Sequence, residues 1–413
     1  MTRLRVHMIS DVAMGAYHHY CSQLCNGLVA CSDIAEVRLI SIFGERALPG
    51  MAPEEQELLD PRVRTEILAP GARAKGWRYL HFMRNLVGYI RQLRRDPPDV
   101  VHIQTPTGTF LIDVLLLLLY RSWRLPIVRT VHEITAAERI GKPTGFERWI
   151  GYRQLRWAHA LIAHDATTST RLNTRDVAPR TPSTIIPHGN YLVFRRYRRP
   201  TSEATEPPGA MPVVLFLGVK RHKGLAVFLQ ALQQLQDAGY PIKAVIAGRI
   251  NPGDADLIAA LHALTMVEVC PGYVPNSKLW QLFERSDMVA MPYLQGTTSG
   301  ALHLAYAFKR PVIASDLTCF QDLVRHGKTG LIVPRGDVVA LKEALVTLAN
   351  DRALRQRMGE EGFVLESSRQ YQWDEIAAHT VQVYQQAMRI ASRAVASQGQ
   401  CACDGGEHVV HRE

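Results

Sequence analysis

At 413 residues, 47% of them hydrophobic, the chain exceeds the roughly 100–200 residues of one domain and is apolar enough to fill packed cores, so two domains are expected. A formal charge of +10 suits anionic partners, whether nucleotide phosphates, nucleic acid or an acidic membrane surface, without choosing among them. The cysteines, at 21, 25, 31, 270, 319, 401 and 403, form no C-x-x-C pair, so neither a zinc site nor a disulfide framework is indicated and a reducing cytosol fits best.

The opening M-T-R-L-R-V-H-M-I-S-D is too short in apolar residues for a signal-peptide core. Val- and Ile-rich runs at Leu4–Ile9, 37–42, Val100–Ile103, Ile127–Val131, Ala160–Ala163 and 184–186 alternate with helical patterns, which predicts a parallel sheet wrapped by helices. Tyr17, Tyr20, Leu24 and Leu28 share one face of the first helix. The most apolar stretch, 110–120, contains Asp113 and falls well short of the roughly 20 residues that span a bilayer. It reads as a buried helix, with a membrane-touching surface as the alternative. After a polar linker at 200–210 the alternation restarts: Val213–Leu217, 244–247, 267–269, Met288–Met291, 312–314 and 331–333. Leu225, Phe228, Leu229, Leu232 and Leu235 line one face of the helix that follows the first of these. The domains are therefore expected at 1–195 and 211–370, with a linker at 196–210. In two such domains ligands sit beyond the carboxyl ends of the strands, so a cleft between facing sheets is expected to hold the chemistry.

Four segments could carry it. Gly15 and Ala16, between the first strand and helix, either let a phosphate approach backbone N–H groups or serve only the turn. His132, in T-V-H-E at a strand end, either hydrogen-bonds a sugar or acceptor hydroxyl or is satisfied by a neighbouring loop, as some of the sixteen histidines must be. In L-G-V-K-R-H-K-G-L, Lys220, Arg221 and Lys223 stand at a helix start, which suits a diphosphate; a solvated basic loop is the plain alternative. In P-Y-L-Q-G-T-T-S-G-A-L-H a small-residue loop precedes a helix beginning at Ala301, capped by Thr298 or Thr297. Its N–H groups at Ser299, Gly300 and Ala301 would face an anion, while Gln295 and His303 could meet sugar and ribose hydroxyls. Two further features are read as inert: Asp254-Ala-Asp256 has D-x-D spacing but follows N-P-G in a surface loop, so no metal is assigned. The basic run 195–199 either touches lipid headgroups or is solvated, the second being favoured.

These pieces, D-V-V-H-I-Q, T-V-H-E, I-I-P-H-G-N-Y, F-L-G-V-K-R-H-K-G, G-Y-V-P, P-Y-L-Q-G-T-T-S-G, R-P-V-I-A-S and H-G-K-T-G-L-I-V, stand in the order found in the family 4 retaining glycosyltransferases, which the chain resembles over most of its length. The resemblance implies an α/β GT-B fold of two Rossmann-like domains. It implies that Lys223 with Lys220 or Arg221, and the segment Thr298, Ser299, Gly300 and Ala301, hold the diphosphate of a nucleotide-sugar donor. The loop Gly272, Tyr273 and Val274, with His303, would lie by the nucleoside, and His132 would face the transferred sugar. It also implies a terminal segment, 371–395, crossing back onto the first domain, before a flexible tail at 396–413. The family usually carries two glutamates where this chain has Gln295 and His303. The expected activity is metal-independent, retaining transfer to a saccharide or lipid-linked acceptor, without cofactor or nucleic acid, in the cytoplasm or on an anionic inner membrane face. A non-catalytic nucleotide-sugar-binding partner of another transferase is the rival reading, and a GT-B epimerase or phosphorylase a more distant one.

Overall fold

The structure, a computed structural model, describes residues 3–10, 15–43, 57–69, 75–105, 110–132, 134, 145–198, 211–250, 255–296 and 299–403. The chain forms two compact units, the second including His188–Gln372 and the first including the chain up to Ala47, Leu58–Pro187 and the segment from Trp373 onward.

The first unit runs β1 (Leu4–Ile9), α1 (Gly15–Ala30), β2 (Ile34–Phe43), β3 (Arg64–Ala69), α2 (Lys75–Arg95), β4 (Val100–Ile103), α3 (Phe110–Ser122), β5 (Ile127–Val131), α4 (Gly145–Arg156), β6 (Ala160–Ala163), α5 (Ala166–Leu172) and β7 (Ser183–Ile185). Its strands form one parallel sheet in the order β3-β2-β1-β4-β5-β6-β7. Strand side chains alternate between faces, and the two cores follow that period of two. Val6, Met8, Val37, Leu39, Val128 and Ile162 pack against Tyr20, Leu24 and Leu28 of α1 and Ile376 and Tyr384 of the terminal helix. Ile9, Ile40, Val101, Ile127 and Leu161 point the other way, onto Tyr89 and Leu93 of α2, Leu117 and Tyr120 of α3 and Leu155 of α4.

Two expectations change here. The stretch 110–120 is helical, but Leu115 and Leu118 are 55% and 48% exposed, because α3 lies on one side of a sheet and only one stripe of it is covered. Edge strand β3 escaped the sequence reading because its start, Arg-Thr-Glu, has no apolar alternation.

The second unit runs β8 (Val213–Leu217), α6 (Leu225–Asp237), β9 (Lys243–Gly248), α7 (Ala255–His262), β10 (Val267–Pro271), α8 (Asn276–Glu284), β11 (Met288–Met291), α9 (Gly300–Ala307), β12 (Val312–Ser315), α10 (Thr318–Gln321), β13 (Gly330–Val333), α11 (Val338–Asn350) and α12 (Arg352–Glu366). Its sheet, again parallel, has the order β10-β9-β8-β11-β12-β13. The five apolar residues assigned to one face of α6 are all buried in its core. The unit begins at His188, earlier than the linker suggested, because the 3-10 turn Leu192–Tyr197 buries Phe194 and follows the buried Tyr191. The basic run sits in this turn and is spent on the unit itself. Arg195 donates to the Ala307 carbonyl at 3.1 Å, Arg196 to that of Glu57 at 2.6 Å, and Arg198 pairs with Glu284 at 2.9 Å. Arg195 is half-buried, whereas Arg196 and Arg198 stay exposed, as the solvated reading expects; Arg199 lies outside the described residues. The final helix, α13 (Trp373–Cys403), belongs to the first unit and continues through 396–403, where the sequence suggested a tail.

Candidate functional site

The strand order of the second unit reverses direction between β8 and β11, and in parallel α/β sheets that switch point opens a crevice at the carboxyl ends. The turn 218–224 leaves β8 and the turn 292–296 leaves β11, so parallel pairing sets them side by side. They are also tied together: the His222 carbonyl accepts from the N–H groups of Leu294 at 2.8 Å and Gln295 at 3.2 Å.

Gly224, at φ 75°, caps α6 in the left-handed region, and a Cβ there would collide with the Pro292 carbonyl. Gly218, at φ 87°, leaves room for Lys223, whose Nζ donates to the Leu217 carbonyl at 3.1 Å and lies 5.2 Å from the centre of the Tyr293 ring. Lys220 and Arg221 are exposed on the same turn, whereas Lys223 is half-buried under it. The turn is thus a 3-10 piece, Arg221–Lys223, ahead of α6.

Across the switch point, α9 begins at Gly300 with Ser299 as its N-cap residue. The Ser299 hydroxyl faces the Tyr293 hydroxyl at 3.2 Å and makes no cap bond, so the first N–H groups of α9, at Gly300 and Ala301, lack that intrahelical partner. Tyr293 is held by its carbonyl, which accepts from Ser315 Oγ at 2.6 Å at the end of β12. Thr297 and Thr298 lie outside the described residues. Gln295 is exposed, its backbone pinned by His222. The same edge carries Gly272, at φ 95°, donating to the Gly248 carbonyl at 3.1 Å, with the half-buried Tyr273 and Val274 beside it. Three turns, after β8, β11 and β10, thus bring cations, helix N–H groups and polar side chains to one sheet edge, an arrangement suited to a nucleoside diphosphate.

His303 departs from its expected place. It is fully buried, its Nδ1 2.8 Å from Glu366 Oε2 and its ring stacked on His188 at 4.6 Å. The other carboxylate oxygen of Glu366 accepts from Tyr191 N–H at 2.8 Å, and the Tyr191 ring is so close to Gly300 that a Cβ there would meet Cε2 at 2.8 Å. In this structure His303 supports the start of α9 from beneath and offers no surface to a nucleoside.

In the first unit the sheet order reverses between β1 and β4, and Gly15 and Ala16 open α1 directly beyond β1. His132 follows β5, half-buried. Its Nε2 lies 3.2 Å from Gln104 Oε1 and its Nδ1 3.2 Å from His164 Nε2, and Tyr20 stands edge-on to both rings at 4.9 and 5.0 Å. Both ring nitrogens are engaged inside the unit. Beneath them His102, fully buried, has its proton affinity pushed down to about 3 by desolvation, while burial raises that of Tyr20. Sequence reasoning missed Gln104, His164, Tyr293 and Glu366 as site-supporting residues. Gln104 and Tyr293 lay inside quoted motifs, but Glu366 is far along the chain from His303 and had no local signal. Asn276, also missed, opens α8 with a buried carboxamide that lacks a hydrogen-bond partner among the described residues. Asp254 lies outside the described residues, and among those described no three His, Cys, Asp or Glu side chains cluster as metal ligands.

A doubly wound parallel unit whose switch point carries a cationic turn and an open helix start has an architecture suited to nucleotide binding. Known proteins of similar sequence and structure are glycosyltransferases. The model for "Glycosyl transferases group 1" matches residues 211–351 and that for "Glycosyltransferase Family 4" residues 19–190. A phosphatidyl-myo-inositol mannosyltransferase of Mycobacterium leprae (strain TN) is 33% identical over 177 residues, 42% of this chain and 46% of that protein. The lipopolysaccharide core biosynthesis mannosyltransferase LpcC of Rhizobium leguminosarum bv. viciae is 26% identical over 347 residues, 79% of this chain and 90% of that protein. Among solved structures, Anabaena Alr3699/HepE in complex with UDP and glucose superposes with a TM-score of 0.69 at 14% identity, covering 92% of this chain and 99% of that one. The two stretches matched by these glycosyltransferase models lie, for the most part, one in each unit, and the chain has the α/β GT-B fold. It spans about half the length of the first curated relatives it matches, 46% and 56%.

Proposed function

We propose that the chain is a retaining, metal-independent glycosyltransferase that moves a sugar from a nucleotide-diphosphate donor to a saccharide or lipid-linked acceptor in bacterial surface glycan or glycolipid synthesis. The observation that carries this is the β8/β11 switch point, where Lys223, its exposed neighbours and the α9 N–H groups meet. Departure of the nucleoside diphosphate builds negative charge on its oxygens, and these groups stabilise it without a divalent ion. The names of the relatives, a phosphatidyl-myo-inositol mannosyltransferase and a lipopolysaccharide core enzyme, favour a lipid-linked acceptor.

An anionic membrane surface fits the side of the first unit formed by α2, α3 and α4. Met83 and Val87, Leu115 and Leu118, and Phe146 and Trp149 are exposed there, on helices that share one core. Helix α2 adds Arg84, Arg91, Arg94 and Arg95 and has no carboxylate, and Arg153 lies over the Trp149 ring at 5.8 Å. Apolar side chains among arginines suit anionic headgroups, which supports reading the protein as peripheral on the inner membrane face. Among the described residues no helix is long and apolar enough to cross a membrane.

The test is transfer of label from sugar-labelled UDP- and GDP-sugars into a bacterial lipid extract, with and without chelator. A labelled, chelator-resistant product whose anomeric configuration matches the donor is expected. Binding of donor with no product under any acceptor would favour the non-catalytic reading, which Gln295, in place of the usual glutamate, motivates.

A further inference from the structure

A chain of side chains lies at the carboxyl ends of β4, β5 and β6, and the transfer reading uses only His132 of it. It runs from Tyr384 Oη to His102 Nδ1 (2.7 Å), from His102 Nε2 to Gln104 Nε2 (3.0 Å), and from Gln104 Oε1 to His132 Nε2 (3.2 Å). It continues from His132 Nδ1 to His164 Nε2 (3.2 Å) and ends at His164 Nδ1 and the Ile186 carbonyl (3.0 Å). Thr130 Oγ1 also meets His102 Nε2 at 2.8 Å. Gln104 is 2% exposed and His164 8%, so solvent is poorly placed to repair a mismatched bond.

Counting hydrogens along this chain gives a constraint. A carbonyl only accepts, so His164 must carry hydrogen on Nδ1 to reach Ile186. With Gln104 Oε1 turned to it, His132 must carry hydrogen on Nε2 for the same reason. The bond between the rings needs one more. Two neutral imidazoles hold only two such hydrogens, so this orientation of the amide calls for one proton more, held as a shared imidazole–imidazolium.

A half-turn of the Gln104 amide removes that demand. Its Nε2 then donates to His132 Nε2, each ring passes one hydrogen onward, and the pair is neutral. Gln104 Oε1 accepts instead from His102 Nε2–H, and Tyr384 donates to His102 Nδ1. The Ile186 carbonyl, being backbone, has no such freedom. Burial holds His102 neutral in either arrangement.

We propose that Gln104 is a positioning residue whose amide orientation sets the proton count of the His132–His164 pair, and thereby whether the site presents a cation. The proposal rests on the reading of His132 as facing the transferred sugar, where a cation would favour departure of the diphosphate and a neutral ring would not. Among the described residues, Tyr20 from α1, kept neutral by burial, stands edge-on to both rings, and His102 lies at the far side of Gln104, backed by Tyr384 from α13. Asp165 follows His164, but its carboxylate is occupied by Thr168 N and Oγ1 at 2.7 and 2.8 Å.

The test is nitrogen NMR of the histidine rings against pH in the full-length wild type, Gln104→Glu and Gln104→Met, with transfer rates measured alongside. A carboxylate at 104 can only accept, so Gln104→Glu should raise the midpoint of the pair by at least about one pH unit, tenfold in proton affinity, and Gln104→Met should lower it. The pH profile of kcat should shift the same way while donor KM stays near wild type. Coincident midpoints in folded wild type and Gln104→Glu would overturn the proposal, even with Gln104→Met unfolded. The ring titrations do not require turnover, so midpoints that shift in a protein that transfers nothing would uphold the proton linkage and sink the transferase reading instead. Transfer with unmoved midpoints would do the reverse.

Discussion

Glu366 links stability to the proposed donor site, and its removal gives the most quantitative test of the second unit. Its carboxylate is fully buried and accepts from two donors, His303 Nδ1 and the Tyr191 N–H, each at 2.8 Å. Glu366→Leu leaves both donors in the interior without acceptors, and an orphaned buried donor costs about 1–3 kcal/mol, so a loss of roughly 2–6 kcal/mol is expected. Glu366→Gln keeps one acceptor oxygen and turns an NH2 against the other donor, which should cost about half as much. For a unit of this size each 1 kcal/mol lowers Tm by about 2–4 °C, so Glu366→Leu should lose at least about 4 °C. Tyr191 packs against Gly300, so loosening it should also weaken donor binding at the start of α9, by a factor that wild-type folding conditions do not restore. Urea denaturation and calorimetry read the first effect, and titration with UDP- or GDP-sugar the second. A Glu366→Leu protein within about 0.5 kcal/mol of wild type would refute the reasoning, because a surface substitution away from any such feature costs that little.

Lys223→Ala should lower transfer at least about tenfold, since a charge-assisted bond to a developing anion is worth roughly 1.5–3 kcal/mol; steady-state rates on a folded variant decide it. Gln295→Ala should remove most turnover while leaving the melting curve in place, because the side chain is exposed; equal transfer by wild type and variant would place the residue outside the site. Trp149→Glu should reduce binding to vesicles containing phosphatidylglycerol and spare neutral vesicles, as a flotation assay would show; unchanged binding would remove α4 from the membrane face. Acid should destabilise the first unit: burial holds His102 at about 3 and His7 at about 4, against an ordinary 6.5. Below about 6.5 the unfolded chain takes up protons that these folded rings refuse, so stability falls with pH down to about 4, by up to about 1.4 kcal/mol per pH unit per histidine. Urea midpoints at pH 7.5 and 5 test the sign.

Both sheets were legible in the sequence because their central strands are short apolar runs bounded by turns, and β1, β4, β5, β6, β8 and β11 fall where those runs do. Edge strand β3 was not, since a strand covered on fewer sides needs fewer apolar residues. The turns at Lys223 and Gln295 could be found because a glycine, a cation and a helix start are local signals. What holds them is not local. The His222 carbonyl bridges two turns far apart in sequence, and Glu366 reaches His303 from the end of α12. His303 was assigned to the nucleoside from its position one turn beyond Ser299; periodicity gives the face of a helix but not what packs on it, and here His188 and Glu366 do.

The central claim is that the β8/β11 switch point binds a nucleotide-diphosphate sugar through Lys223 and the start of α9. Thermal shift of the purified full chain across a panel of UDP-, GDP- and ADP-sugars measures this most directly, since a ligand that binds the folded state stabilises it by RT ln(1 + [L]/Kd). At least one nucleotide sugar should raise Tm saturably, the free nucleoside diphosphate should do so too, and Lys223→Ala should lower the apparent affinity for both at least about tenfold. A saturable shift of the same size and midpoint in Lys223→Ala, or no shift with any donor, would contradict it.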